Sequence, residues 1–499
     1  MIIPHPTLHC MNWQAFSVGL SLVNPQPLLA TTTEAEAAPL VLAGVLISLV
    51  AIYLASKIGG EICARIDLPP VLGELVGGVV IGVSALHLLT FSEAGGEASS
   101  LIMKLLDLTA DLSPAVFTTV FSHQSEVISV LAEMGVVILL FEIGLESDLK
   151  ELLRVGPQAI AVAVVGVVTP FVLGTVGLVL LFGVPTVPAI FAGAALTATS
   201  IGITAKVLAE LQRLSSSEGQ IIIGAAVMDD VLGIIVLAVV AGLARNGQVE
   251  IGNVIYLIVS SAVFLIGAIW LGRLLSPLFV TLVDGLKTRG QLLLSSLIFA
   301  FTLSYIAQII HLEAILGSFA AGLILAETEK RRQLEDQVIP VADVLVPVFF
   351  VVVGARTDIS VLNPFVPENR EGLIMASFLI LVALVGKVVT GLAVFGKPGI
   401  NRLAIGIGMI PRGEVGLVFA SVGSASGVLG KPLEAAIIVM VILTTFLAPP
   451  LLRWAFARQE ESPLPELEQG NAPVIEASTQ PVATASEAVQ EAVQKAVQE

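Results

Sequence analysis

The sequence predicts an all-α polytopic membrane protein with about thirteen transmembrane helices, arranged as an inverted repeat with two unwound helices that cross. Three observations predict it. The 499 residues are 56% hydrophobic and 13% charged, with a mean hydropathy of +0.96, well beyond the soluble range. The apolar runs are long enough to cross a bilayer and are bounded by charges and prolines. Two of those runs recur later in the chain, in the same order and at fixed offsets.

Taken in order, the spans fall near 39–58, 69–90, 127–145, 157–183, 187–212, 219–244, 251–275, 291–310, 313–326, 340–357, 372–396, 401–428 and 433–455. The ninth is short, which predicts an oblique or earlier-starting helix. Loop charges test the count independently. Sixteen Lys and Arg follow the odd-numbered spans, whereas the other side holds only Lys104, Arg245, Arg356, Arg370 and Lys431. The positive-inside rule then puts the C-terminus in the cytoplasm and the N-terminus outside, as an odd span count requires.

The membrane domain accordingly occupies residues 38–458, with repeat one at about 39–245, a linker helix at 251–275 and repeat two at about 290–455. Residues 1–37 are expected to be an outer extension or a removed segment; they lack the positive start of a signal peptide. Residues 459–499, rich in Glu, Gln, Ala, Ser and Pro, are expected to form a disordered cytoplasmic tail. The net charge of −16 is concentrated in aqueous segments and says little about partners. Cys10 and Cys63 build no disulfide framework, and the five histidines have no ligand spacing. No cofactor and no nucleic-acid partner are expected.

The repeat is read from two matches. Val71-Leu72-Gly73 with Gly78 in the second span aligns without gaps with Ile315-Leu316-Gly317 and Gly322 in the ninth. Ala132, Glu133, Gly144 and Asp148 around the third span align with Ala342, Asp343, Gly354 and Asp358 around the tenth, at a constant offset of 210. Seven spans separate the copies, so the second crosses the membrane in the opposite direction. Secondary transporters use such inverted repeats to alternate access about a midplane site.

That architecture needs broken helices, and matching positions supply them. The fifth span contains Thr197-Ala198-Thr199-Ser200, and the twelfth, seven spans later, contains Pro411-Arg412-Gly413-Glu414. Pro411 removes an amide donor and Gly413 relaxes the backbone, so the helix is expected to unwind there. Hydroxyls of Thr197, Thr199 and Ser200 suit freed carbonyls or an ion. Thr-Ala-Thr-Ser alone reads as ordinary helix packing, and Arg412 and Glu414 read equally as partners of each other or of helix ends. The pairing of the two breaks favours a crossing.

Charge inside the membrane points to the function. Asp229 and Asp230 lie mid-span in the sixth helix, where each charge costs about 2.5–3.5 kcal/mol on insertion scales unless it is neutralised. An acidic pair at that depth suits a cation or a proton. Lys387 lies deep in the eleventh span; it either snorkels to an interface or pairs with one of the two aspartates. Glu74, Glu133, Glu142 and Asp343 read as local backbone partners or as the lining of an access funnel.

Leu72-Gly73-Glu74, the run Leu140 to Glu146, Thr197 to Ser200, Asp229-Asp230, Phe349 to Gly354, Lys387 and Pro411 to Glu414 together resemble the second family of monovalent cation:proton antiporters, sodium/proton exchangers included. The resemblance extends over about residues 40–455. It implies the sodium/proton antiporter fold, with a six-helix core moving against a dimerisation domain, and a homodimer. It also implies that Asp230 carries Na+ or protons, while Asp229 pairs with Lys387. The potassium-efflux branch usually adds a nucleotide-binding domain after the last span, where this chain has a tail.

The expected activity is exchange of a monovalent cation, Na+ before Li+ or K+, for H+ by alternating access. Burial disfavours the charged carboxylate, so proton and Na+ compete for the oxygens of Asp230. Thr199, Ser200 and broken-helix carbonyls supply further oxygens of the type a hard cation takes. Two protons per cation is the hypothesis if Lys387 also gives up a proton. The alternatives are a K+/H+ antiporter, or a K+ efflux or channel-like transporter of the same fold. An intramembrane aspartyl protease fits poorly, because adjacent aspartates on one helix point about 100° apart. The membrane is expected to be a prokaryotic cytoplasmic or a thylakoid membrane.

Overall fold

The computed structural model describes residues 27–91, 100–246, 251–396 and 399–460. Those residues form sixteen α-helices and no strand. They are α1 (Pro27–Arg65), α2 (Pro70–Ile81), α3 (Leu101–Ala110), α4 (Pro114–Glu146), α5 (Leu149–Phe182), α6 (Thr186–Ala195), α7 (Ile201–Glu210) and α8 (Ser217–Asn246). The second half comprises α9 (Ile251–Gly285), α10 (Gln291–Ile309), α11 (Ala314–Ala326), α12 (Arg331–Ala355), α13 (Pro367–Val388), α14 (Arg402–Gly408), α15 (Glu414–Ala425) and α16 (Lys431–Glu460).

Every span expected from the sequence corresponds to a helix or a pair of half-helices. Nine helices among the described residues are long and apolar enough to cross a bilayer. The short helices α2 and α11 fill the second and ninth places. The fifth and twelfth spans are each split, into α6 and α7 and into α14 and α15.

Several boundaries differ from expectation, α4 starting at Pro114 rather than near 127 and α12 at Arg331 rather than near 340, and one helix is additional. Helix α1 starts at Pro27, inside the expected outer extension, because Glu34, Ala35, Glu36 and Ala37 are good helix formers that continue the helix beyond its apolar part. Helix α3 falls in what hydropathy reads as a loop. Its N-cap Ser100 accepts from the Met103 N–H, and it buries only Ile102 and Met103, too little apolar length for a span. Residues 1–26 and 461–499, with most of the expected extension and tail, lie outside the described residues.

The repeat offsets hold at atomic detail. Asp148 Oδ1 accepts from the Lys150 N–H at 2.8 Å, and Asp358 Oδ1 accepts from the Ser360 N–H at 2.8 Å. These are equivalent caps at equivalent positions. Gly78 on α2 packs against Gly354 on α12, while their counterparts Gly322 on α11 and Gly144 on α4 pack in the same way.

Contacts gather into two groups. Helices α1, α2, α4, α10, α11 and α12 pack on one another, and so do α5, α6, α8, α13, α14 and α15. Half-helix α7 touches both, lying against α2 and α4 as well as α8. Leu42, Leu46, Val50, Leu54, Ile58 and Ile62 repeat every four residues along α1 and are all exposed, giving one continuous apolar stripe. A stripe of that length suits lipid, and water would penalise it heavily.

Candidate functional site

Where α6 ends and α7 begins, the chain runs irregularly through residues 196–200, and it does so again between α14 and α15 at 409–413. The two breaks bond to each other. The Ser200 N–H donates to Pro411 O at 2.8 Å, Thr199 Oγ1 to Met409 O at 3.2 Å, and Thr204 Oγ1 to Gly408 O at 2.9 Å. Pro411 has no amide to lose, so an interrupted helix is the cheapest backbone it can occupy. Thr197 turns back on its own helix, donating to Ala194 O at 2.7 Å.

Lys387, in the last turn of α13, enters this crossing fully buried. Its Nζ donates to Thr197 O at 2.7 Å and to Thr199 Oγ1 at 2.9 Å, and lies 3.2 Å from Asp229 Oδ2. Snorkelling is thereby excluded, since neither Lys387 nor Asp229 exposes its side chain. Arg412 is equally buried and donates through Nη1 to Ala198 O and, at 3.3 Å, to Thr197 O. Both cations thus face the carbonyl end of α6, where the helix dipole is negative.

Asp230, the next residue of α8, is 5% exposed. It lines a small, largely enclosed cavity with Ala198, Thr199, Ser200, Ile201, Ile315, Gly413 and Val415. Ile201 and Val415 belong to the first turns of α7 and α15, whose amide ends favour negative charge. The carboxylate and the two cations therefore sit at opposite dipole ends, an arrangement that holds charge without bulk water.

The structure thus joins Asp229, Lys387, Thr197, Thr199 and Arg412 in one bonded cluster, with Asp230, Ser200 and Gly413 around the neighbouring cavity and Pro411 tying the breaks. Glu414 opens α15, and its side chain lies outside the described residues. Of the other carboxylates, Glu74 accepts from Ser56 Oγ at 2.9 Å, while Glu133 and Asp343 are exposed. Sequence reasoning missed two positions. Thr445 of α16 donates to Arg412 O at 2.5 Å, a role that a hydroxyl pair inside an apolar run could have suggested. Glu210, the last residue of α7, accepts the Val71 N–H of α2 at 3.2 Å.

A family profile described as the transmembrane sodium/hydrogen exchanger matches residues 44–458. The chain belongs to that family. Among family relatives, the high-affinity Na+/H+ antiporter NhaS3 of Synechocystis sp. is 70% identical over 442 residues, 88% of this chain and 96% of the relative. The Na+/H+-K+ antiporter GerN of Bacillus cereus is 31% identical over 416 residues, 82% of this chain and 96% of the relative. Among solved structures, the sodium proton antiporter MjNhaP1 of Methanocaldococcus jannaschii at pH 8 matches with a TM-score of 0.57 at 16% identity, over 84% of this chain and 99% of that one. At that identity the likeness shows the fold, which is the exchanger fold with its split fifth and twelfth spans. The exchanger family is one of integral membrane transporters, and this chain is a multi-pass member.

Proposed function

We propose that this chain exchanges Na+ for H+ across its membrane, with Asp230 as the group that takes either ion. The observation that carries the reading is the unequal setting of two neighbouring carboxylates. Asp229 is committed to Lys387, whereas Asp230 lines the enclosed cavity beside Thr199 and Ser200. One aspartate is then structural in charge and the other exchangeable. The name and identity of the Synechocystis relative support Na+ as the cation.

The mechanism follows from shared occupancy. A proton or a Na+ neutralises Asp230, and only a neutralised site crosses the apolar barrier cheaply. The empty, charged site stays behind, so movement of one ion requires return of the other. Asp230, with hydroxyl oxygens from Thr199 and Ser200, is the proposed ligand set for a hard cation. The group containing α5, α6, α8 and α13 to α15 is the proposed moving core, and the protein is proposed to act as a homodimer. The cytoplasmic C-terminus and a prokaryotic cytoplasmic or thylakoid membrane complete the reading.

Proteoliposomes with a pH dye inside test it, with Na+, Li+ and K+ added in turn. Na+ should drive proton movement at the lowest concentration. A K+ response of equal affinity would favour the K+/H+ alternative, for which the likeness to the Na+/H+-K+ antiporter GerN gives a specific reason to look.

A further inference from the structure

Two buried cations stand beside Asp229. Lys387 Nζ is 3.2 Å from its Oδ2, and Arg412 is bound into the same crossing through Thr197 O and Ala198 O. The same backbone oxygen, Thr197 O, accepts from Lys387 Nζ at 2.7 Å and from Arg412 Nη1 at 3.3 Å. Asp229, Lys387 and Arg412 are each 0% exposed, so none of them faces bulk water.

Arg412 uses only part of its bonding capacity. Nη1 serves Thr197 O and Ala198 O, while Nε and Nη2 are buried without a hydrogen-bond partner among the described residues. Oδ1 of Asp229 is in the same condition. The Nε and Nη2 edge of a guanidinium is a fork that receives a carboxylate through two parallel bonds. Buried donors and acceptors left unused are costly. A matched fork and carboxylate oxygen around one shared carbonyl point to a second arrangement in which they meet.

We infer that Asp229 has two ion-pair partners in the transport cycle: Lys387 in the arrangement seen here, and the Nε–Nη2 edge of Arg412 when Lys387 disengages. The inference rests on the reading that Asp230 takes the cation. Thr199 lines the Asp230 cavity and its Oγ1 accepts from Lys387 Nζ, so a cation that takes that oxygen competes with the ammonium for it. The added positive charge also repels Lys387. With no second partner, Asp229 would be left as a bare buried carboxylate, the most expensive outcome available. Arginine suits the reserve role because it stays charged and its planar fork is already shaped for the carboxylate. Arg412 is therefore a positioning residue, acting on the ion site through Asp229.

Thermal unfolding of the full-length protein in detergent tests this with Lys387→Gln, Arg412→Gln and the double variant. Each single variant leaves Asp229 one partner, so the loss of melting temperature in the double should exceed the sum of the single losses. Adding Asp229→Asn to the double removes the charge that needs a partner and should restore much of the loss. If the double cannot be purified, recovery of a folded triple variant is the supporting result. Additive losses, or a triple no more stable than the double, overturn the inference, because Arg412 would then only clamp the end of α6. Exchange by Asp230→Asn is measured alongside. An active Asp230→Asn protein sinks the site reading whatever the melting data say, and an inactive one with additive losses sinks the partner change alone.

Discussion

Gly78 of α2 and Gly354 of α12 meet backbone to backbone: a methyl group placed on Gly78 would lie 2.9 Å from Gly354 Cα, and one on Gly354 would lie 3.0 Å from Gly78 Cα. The repeat mates Gly322 of α11 and Gly144 of α4 show the same pair of distances. Without side chains between them the helices cross close enough for dispersion to hold them, which matters in lipid, where burial of apolar surface drives little. Gly354→Val should therefore force α2 and α12 apart and destabilise the protein by about 1–3 kcal/mol. Gly322→Val should do the same at the symmetric crossing. Unchanged melting temperatures for both would remove these contacts from the list of what holds the fold.

Asp230→Asn keeps the side-chain volume and removes the group that charges. Exchange should fall to the level of empty liposomes, while expression and melting temperature stay near those of the parent. Persistent Na+-driven proton movement would rule out Asp230 as the exchangeable carboxylate.

A tag placed after Arg458 should be protected in intact cells and accessible in inverted vesicles, since basic residues concentrate on the side reached after every odd-numbered span. Labelling of intact cells would reverse the proposed orientation.

Much of this molecule is legible in its sequence because lipid imposes strong constraints. A span must be long, apolar and internally bonded, so hydropathy locates α4, α5, α8, α12 and α16 with little ambiguity. The breaks are legible at Pro411, where a missing amide leaves few backbone options, and at Thr197 to Ser200 through the symmetry of the repeat. Helix α3 is not, because two buried residues on a ten-residue helix leave almost no periodic signal. The partners of Arg412 were open for a different reason. Arg412 reads equally as a partner of Glu414 or of a helix end, and here Nη1 goes to the end of α6, to Thr197 O and Ala198 O more than two hundred positions away. The distinction between Asp229 and Asp230 likewise depends on where α13 delivers Lys387, which no local pattern encodes.

Competition for one carboxylate fixes the pH dependence and its sign. Where the empty site is protonated, a proton must leave before Na+ binds, so each unit rise in pH should lower the apparent Na+ constant about tenfold, or ~1.4 kcal/mol. At higher pH the site is already deprotonated and the constant should level off. An apparent Na+ constant that does not change with pH, measured with the dye assay on both sides of neutrality, would contradict a shared site.

Lys387 supplies the last prediction, which concerns charge. Two protons against one Na+ move one net charge per cycle, and 100 mV is then worth about 2.3 kcal/mol of driving force. If one of those protons travels on Lys387, the Lys387→Gln protein should exchange one proton for one Na+ and become indifferent to voltage. Its apparent Na+ constant should still fall with rising pH, because Asp230 is intact. The protein should remain folded, since the Nε and Nη2 donors of Arg412 are available to hold Asp229. Potassium diffusion potentials of either sign, set with valinomycin in proteoliposomes at matched pH, read the difference directly. A Lys387→Gln transporter whose rate still responds to voltage as the parent does would show that the lysine carries no transported proton, and its bond to Asp229 would then be structural alone.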